Sequence, residues 1–260
     1  VGEGKGEGSP SPNPLPSREG EKIEILAFLR CSKGRMKKIK PVDKLLYERE
    51  LWGKGYKLIA GVDEVGRGPL AGPVVAACVI FPEDINILGI DDSKKLTSEK
   101  REELYWKIKE NALDFGVGII QEREIDKLNI LRASLKAMQK AISSMKNTPH
   151  FLLIDGNQKI PHLDIPQLPV IKGDTLSLSC GAASIIAKVE RDRLMKRLHK
   201  KYPQFSFDQN KGYASKEHLE ALRIYGPCKV HRRSFRRVME CIVLQEHLNL
   251  DGKYENRSEG

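Results

Sequence analysis

The sequence predicts an α/β protein, with a mixed sheet flanked by helices, a small C-terminal helical portion and a flexible N-terminal extension. Three observations carry this expectation. Leu58–Val65 and Pro73–Phe81 are apolar runs rich in Val, Ile and Ala, and their short separation suits an antiparallel hairpin. Strand-like and helix-like segments then alternate, the pattern of a sheet covered by helices. Residues 1–20 (VGEGKGEGSPSPNPLPSREG) carry Gly, Pro and Ser where a core would need apolar side chains, and are expected to be disordered.

Residues 21–31 hold a short apolar patch (IEILAFL) with helical character, and residues 41–54 read as an amphipathic helix leading into the main domain. After the hairpin, Thr97-Ser98-Glu99-Lys100 opens a helix with Thr97 or Ser98 as its N-cap. Phe115–Gln121 is a further strand. Asn129–Met145 is helical, with Ile130, Leu131, Leu135 and Met138 on one stripe. Phe151–Ile154 and Leu168–Ile171 are short strands. Leu176–Lys200 is a long helix whose Gly181-Ala182-Ala183-Ser184 stretch permits close packing on a sheet, and Lys216–Arg223 is a last short helix. The chain thus divides into an extension (1–45), a main domain (46–198), a helical portion (199–245) and a tail (246–260).

At 260 residues the chain is long enough to bury a core unaided. No apolar run reaches the ~18 residues of a membrane span, and no signal peptide is visible. Cys31, Cys78, Cys180, Cys228 and Cys241 are scattered without a C-x-x-C pair, which argues against structural zinc and for a reducing, cytoplasmic setting. The net charge of +10 is unevenly placed. Residues 1–57 carry 13 Lys/Arg against 8 Asp/Glu, and residues 199–240 carry 10 against 4. Basic segments beside a neutral, carboxylate-bearing core suit an enzyme acting on a polyanion; a solvated Lys-rich surface is the competing reading.

The strongest chemical signal is Gly61-Val62-Asp63-Glu64-Val65-Gly66-Arg67-Gly68-Pro69. An apolar strand closes on two adjacent carboxylates and a glycine-flanked arginine. Neighbouring side chains of a strand point to opposite faces, so Asp63 and Glu64 share one site only if the strand ends or bulges there. Glycines make such a break easy and let backbone N–H groups approach a sugar or phosphate. Asp155 ends a second apolar run before Gly156, where an ordinary turn competes. Asp174 follows the strand Val170-Ile171, where an N-cap for the next helix competes. Carboxylates converging from strand ends repel one another unless cations sit between them, and hard oxygen ligands suit Mg²⁺ or Mn²⁺.

The motifs GVDEVGRGPLAGPVVAACVI, DDSKKLT, IDGN, VIKGD, GAASIIAKVERDR and KGYASKEHL, in this order, resemble the type 2 ribonuclease H family (ribonuclease HII) in its bacterial form, over about residues 46–240. The resemblance implies a ribonuclease H-like sheet and a two-metal site (two Mn²⁺ or Mg²⁺ ions in the active complex) of Asp63, Glu64, Asp155 and Asp174. It implies substrate binding by Gly66, Arg67 and Gly68 and by Tyr213. The implied activity is hydrolysis of the RNA strand of RNA–DNA hybrids, and incision 5′ of single ribonucleotides in duplex DNA, leaving 3′-hydroxyl and 5′-phosphate ends. Ribonucleotide removal from DNA by a cytoplasmic monomer is the implied role. Type 3 relatives carry a different loop after the first acid and a sheet-containing N-terminal domain, for which residues 1–45 lack apolar residues.

Ser93, Lys94 and Lys95 follow Asp92 before a helix and offer a hydroxyl and two ammonium groups to phosphates, or else form a solvated capping turn. Asp192 reads as an acid behind the metals or as an ion-pair member. His231–Phe235 reads as a DNA-backbone contact or a solvated basic run, and His150, His162 and His199 as surface residues. Gln245-Glu246-His247-Leu248-Asn249-Leu250 resembles the Q-x-x-L-x-L pattern of sliding-clamp ligands; the end of a helix competes. A rival of another class is a non-catalytic duplex-binding module of the same fold, but such a binder gains nothing from clustered negative charge facing phosphates.

Overall fold

The central strand β1 (Ile59–Val65) pairs on one side with β2 (Val74–Ile80) and on the other with β4 (Phe151–Asp155). The computed structural model describes residues 43–250 apart from 88, 91, 92, 94 and 95. The sheet has five strands in the order β3-β2-β1-β4-β5, with β3 at Asp114–Ile120 and β5 at Gln167–Val170. The β1–β2 and β2–β3 pairs are antiparallel, as the short hairpin connection predicts, and β1–β4 and β4–β5 are parallel.

Each face of the sheet is covered by helices. Alternate residues of β1 and β2 (Ala60, Val62, Val74, Ala76, Cys78) pack with Ala133, Ala137, Met138 and Ala141 of α4 (Ile130–Ser143). The opposite alternation (Val75, Ala77, Val79) packs with α2 (Ser98–Asn111) and α6 (Leu178–Lys201). Thr97 caps α2 by accepting from the Lys100 N–H. The small-residue stretch of α6 does lie on the sheet. A Cβ on Gly61 would stand 2.1 Å from the Ser179 carbonyl carbon, so any side chain there would lift α6 off β1. The predicted helix at 41–54 is α1 (Leu46–Gly53), and α3 (Glu122–Leu128) precedes α4. The long helix expected over Leu176–Lys200 is α6 (Leu178–Lys201), which starts two residues later. A short α5 (Gly173–Leu176) ends at Ser177, whose side chain accepts from Cys180 N–H and starts α6.

Beyond α6, a turn at Pro203–Phe205, α7 (Phe207–Asn210), α8 (Lys216–Tyr225) and α9 (Arg236–Leu250) gather around Phe205, Phe207, Leu222 and Val238. Leu70 and Ala71, from the β1–β2 connection, are buried in the same cluster. This helical core is thus threaded by the chain that leaves β1. Gln245–Leu250 are helical, within α9. The expectations for residues 1–42, among them the 21–31 patch, and for residues 251–260 fall outside the described residues. Cys78, Cys180, Cys228 and Cys241 are free thiols.

Glu48 of α1 fastens the start of α6. Fully buried, its Oε1 accepts from the Ser177 hydroxyl at 2.6 Å and from Ser179 N–H at 3.0 Å, while Oε2 has no partner. Burial raises its pKa above the ordinary glutamate value despite those bonds. A carboxyl whose folded pKa is raised stabilises fully below its unfolded pKa and loses that contribution as pH rises through the folded value. Glu48→Gln keeps the acceptor and removes the titration. In melting curves from pH 4 to 8 in EDTA, the variant is expected to gain on wild type as pH rises. Glu48→Ala strands both donors and should cost about 1–3 kcal/mol at every pH. A Gln variant that melts below wild type at pH 8 would contradict this account.

Candidate active site

Asp63 lies on the α6 face of β1 and is 5% exposed. Its carboxylate accepts from Glu64 N–H at 2.7 Å, and the nearby Ser184 hydroxyl favours its ionised form. The Ser184 Oγ stands 2.9 Å from the buried Ser93 Oγ, so two serines from α6 and the loop before α2 back this acid. Burial first, then the charges of Glu64 and Asp155, hold the Asp63 pKa well above the usual carboxylate range. No cation is among the causes of that shift.

Of the two alternatives, an end or a bulge, β1 takes the first: it ends at Val65, one residue after Glu64, without a bulge. β1 keeps regular register with β2 through Asp63↔Ala77, Glu64↔Ala76 and Val65↔Val75. What ends sooner is the other neighbour: β4 pairs only as far as Val62↔Ile154. Asp155 stands one step beyond, level with Asp63. Glu64 is in a regular strand whose β4 side has run out, and there it feels the charge of Asp155. Burial raises Glu64 while Arg67, 3.2 Å away through Nη1, lowers it.

Asp155 closes β4, and its level partner Val170 closes β5. The Gly156 N–H donates to Val170 O at 3.0 Å. Gly173 then packs onto Asp155, since a Cβ there would stand 3.2 Å from the Asp155 Cα and 3.3 Å from its Oδ1. This seats the following residue, Asp174, in α5 and 7% exposed. The competing capping role for Asp174 is filled by Ser177.

The donors are all hard carboxylate oxygens, which fit Mg²⁺ or Mn²⁺ rather than a softer metal. Asp155 Oδ1 is buried without a hydrogen-bond partner. Among the described residues no three His, Cys, Asp or Glu side chains form a ready-made cage. Asp155 acts as a like charge on both Asp63 and Glu64, and a cation between these acids would relieve that repulsion.

On the rim, Gly66 adopts φ +95° and is buried, while Arg67 and Gly68 are exposed. A Cβ on Gly66 would meet the Arg191 Nε at 2.2 Å, so this position needs glycine both for conformation and for space. A Cβ on Gly68 would lie 3.5 Å from Cε1 of Tyr213. The Tyr213 ring, half exposed, therefore stands against the glycine-arginine-glycine loop. Leu70 N–H donates to Gly212 O at 2.8 Å and joins the two segments.

The Tyr213 backbone is fixed from below by a buried histidine pair. His218 Nδ1 stands 2.7 Å from Tyr213 O, and its Nε2 stands 3.0 Å from His231 Nε2. The carbonyl only accepts, so His218 donates from Nδ1 and accepts at Nε2. His231 accepts from Cys228 N–H at Nδ1 and so donates from Nε2. Burial lowers both pKa values, that of His231 to about 3.

Of the remaining predicted residues, Ser93 faces inward, and Lys94 and Lys95 lie outside the described residues. Asp192 sits in ion pairs with Lys188 at 2.7 Å and Arg101 at 3.9 Å. His231 and Arg232 are not a surface DNA contact: both are buried, and Arg232 donates to backbone carbonyls. His150 and His162 are exposed, and His199 pairs with Asp208 at 3.2 Å. Roles for Ser184, Arg191, His218 and Glu48 leave no mark in the sequence and become visible only through their partners.

The family model described as Ribonuclease HII matches residues 60–238. A ribonuclease HII from Caldanaerobacter subterraneus is 56% identical over 200 residues, which cover 76% of this chain and 83% of the relative. The crystal structure of the ribonuclease H2 from Pyrococcus horikoshii aligns with TM-score 0.63 and 28% identity, covering 73% of this chain and 99% of that one. The ribonuclease HII solved in complex with PCNA from Archaeoglobus fulgidus aligns at 0.55 and 28% identity, covering 67% and 92%. A ribonuclease HIII in complex with Mn²⁺ aligns at 0.57 with 19% identity, covering 79% and 74%, a likeness of fold alone. A strand register that sets Asp63 level with Asp155, a glycine-arginine-glycine loop against Tyr213, and sequence identity over most of the chain agree: the chain belongs to the ribonuclease HII family.

Proposed function

We propose that this ribonuclease H cuts the RNA strand of RNA–DNA hybrids and incises on the 5′ side of single ribonucleotides in duplex DNA, leaving 3′-hydroxyl and 5′-phosphate ends. The observation that carries the reading is the contact of the Tyr213 ring with the Gly66–Gly68 loop, beside the Asp63, Glu64 and Asp155 carboxylates. At the cut, RNA differs from DNA by the 2′-hydroxyl, which both donates and accepts. A backbone loop bare of side chains at Gly66 and Gly68 can reach that hydroxyl, and an aromatic ring can pack on the adjoining sugar. Asp63, Glu64, Asp155 and Asp174 are the proposed ligands of two divalent cations, Mg²⁺ or Mn²⁺. Bound there, such ions supply Lewis-acid activation of the attacking water and neutralise charge on the leaving 3′-oxygen. The protein's part is to hold the carboxylates, with Ser184 and the Glu64 N–H orienting Asp63. Lys94 and Lys95 are proposed phosphate contacts, and ribonucleotide removal from DNA the cellular role. Docking of Gln245–Leu250 on a sliding clamp draws support from the archaeal relative solved with PCNA. A chain ended after Val243 that still binds the clamp would overturn it. A non-catalytic binder of the same fold gains nothing from three mutually repelling acids.

The cations are tested without turnover. The raised Asp63 pKa makes the metal-free fold lose stability as pH rises through it. A ligand of the ionised form reverses that loss. Mn²⁺ should therefore raise the melting temperature of wild type, and more at pH 8 than at pH 6. Asp155→Asn should match or exceed wild type in EDTA and gain little from Mn²⁺, while losing most of its cleavage and keeping duplex binding. Near-normal turnover of Asp155→Asn in millimolar Mg²⁺ would remove Asp155 from the ligand set.

Ribonucleotide sensing is tested by Tyr213→Ala, with a lone ribonucleotide and a long hybrid assayed side by side. Ring contacts of this kind are worth about 1–3 kcal/mol, so cleavage at the lone ribonucleotide should fall roughly tenfold to a hundredfold, and the hybrid less. An equal loss on both, or none on either, would leave sensing to the loop alone.

A further inference from the structure

Two arginines are wholly buried behind the rim: Arg191 in α6 and Arg232 in the turn before α9. Arg191 donates from Nε to Pro73 O at 2.9 Å, from Nη1 to Lys211 O at 3.0 Å and from Nη2 to Ala71 O at 3.2 Å. Arg232 donates from Nε to Gly72 O at 2.9 Å, from Nη1 to Arg67 O at 3.0 Å and from Nη2 to Gly66 O at 2.6 Å. Every acceptor is a backbone carbonyl; no carboxylate takes part. Burial lowers their pKa values, to about 10 and about 9, which leaves both charged at neutral pH. Burying a cation without a counter-ion is costly. Only a guanidinium offers a planar fork of donors that can tie three carbonyls at fixed angles.

The bonds of Arg232 have a consequence for the loop's other side. In a trans peptide the C=O of one residue and the N–H of the next point in opposite directions. With the carbonyls of Gly66 and Arg67 turned inward onto Arg232, the N–H groups of Arg67 and Gly68 are turned outward. Among the described residues neither N–H has a protein partner. Both belong to exposed residues, and the Tyr213 ring stands beside Gly68. Arg191 meanwhile ties the chain after this loop to Lys211, two residues before Tyr213.

We propose that Arg232 is a positioning residue for ribonucleotide selection: by holding two carbonyls inward it presents the Arg67 and Gly68 amides as a paired donor to the ribose, and Arg191 fixes Tyr213 relative to that pair. Neither arginine touches the substrate. The proposal rests on the reading of the Gly66–Gly68 loop and Tyr213 as the elements that meet the sugar.

The test is binding preference in EDTA, where nothing is cut. Wild type and Arg232→Lys are titrated with a duplex bearing one ribonucleotide and with the same duplex in all-DNA form. A lysine donates from a single nitrogen and cannot span three carbonyls that the guanidinium reaches from three separate nitrogens. It should abolish the preference for the ribonucleotide while leaving affinity for the all-DNA duplex unchanged. With Mg²⁺, a misplacement of about 1 Å at the reacting sugar would cost on the order of a hundredfold in kcat with little change in KM. Amide exchange on wild type serves even if the lysine variant does not fold. The Arg67 and Gly68 amides should exchange rapidly in the free protein and become protected with the ribonucleotide duplex but not with the all-DNA one. A wild-type preference that survives in Arg232→Lys, or amides already protected in the free protein, would overturn the positioning role alone. A wild type with no preference would remove the sugar-reading elements, and this proposal with them.

Discussion

Helix α6 lies so close to β1 that Gly61 has no room for a side chain, and this contact sets the position of everything around the acids. It brings the first turns of α6 over the strand, so Ser184 reaches the Asp63 carboxylate from above. It also fixes where α6 must begin. Ser177 caps the helix, Glu48 grips that cap from α1, and the short α5 carrying Asp174 is confined between β5 and α6. Moving α6 outward by the width of a methyl group would therefore disturb Asp63, its serine partner and the seat of Asp174 together. Small residues in α6 and a glycine in β1 are two halves of one packing requirement.

A second constraint joins the sheet to the C-terminal helices. The chain leaving β1 does not return directly to β2. It passes through the helical core, where Leu70 and Ala71 are buried beside Phe205, Phe207 and Leu222. Ala71 pairs with His231, and Gly72 N–H donates to Val230 O at 2.9 Å. The first acids and the rim loop are thus linked through a few residues to helices almost 150 positions later in the sequence. A boundary drawn near residue 198 separates the chain by composition, but the connection between β1 and β2 belongs spatially to the later part.

Much of this was legible in the sequence because its signals are local. The strands appear as apolar runs, α4 as an apolar stripe of which Leu131 is nonetheless exposed, and α2 through Thr97. The acids stood out because they end strands. The roles of Arg191 and Arg232 were not legible: an arginine that bonds only backbone carbonyls looks in sequence like any surface charge, and its partners carry no side-chain signature. His231-Arg232 was read as a basic run for that reason. An end or a bulge was expected at Asp63–Glu64; β1 ends at Val65 without a bulge, and what opens the site is the earlier end of its neighbour. Alternation was correctly assumed, but a strand can also free its side chains when its neighbour ends first, and the length of β4 relative to β1 is a property of the sheet, not of either segment. The break at Ser177 was hidden because Leu176 and Leu178 both fit a helical pattern.

The buried charges of the molecule are arranged against its own stability in the free state. Asp63 is inside, raised by its acidic neighbours, with no cation among the causes of its shift. Elsewhere in the fold Arg191 and Arg232 are inside with no carboxylate bonded to either, and the charge of Arg191 works against that of Arg232. Pairing the two sets would relieve both, and in an ordinary core selection for stability would favour it or replace them by apolar residues. The fold instead keeps them apart: each arginine gives three bonds to backbone carbonyls, of Pro73, Ala71 and Lys211 for Arg191 and of Gly72, Arg67 and Gly66 for Arg232. Arg67 meets part of the charge of Glu64, but Asp63 and Asp155 remain open to cations from outside, while the guanidiniums spend their donors on backbone shape. Of the two sets only the first can be satisfied by a ligand, so the destabilisation that a cation relieves belongs to the acids.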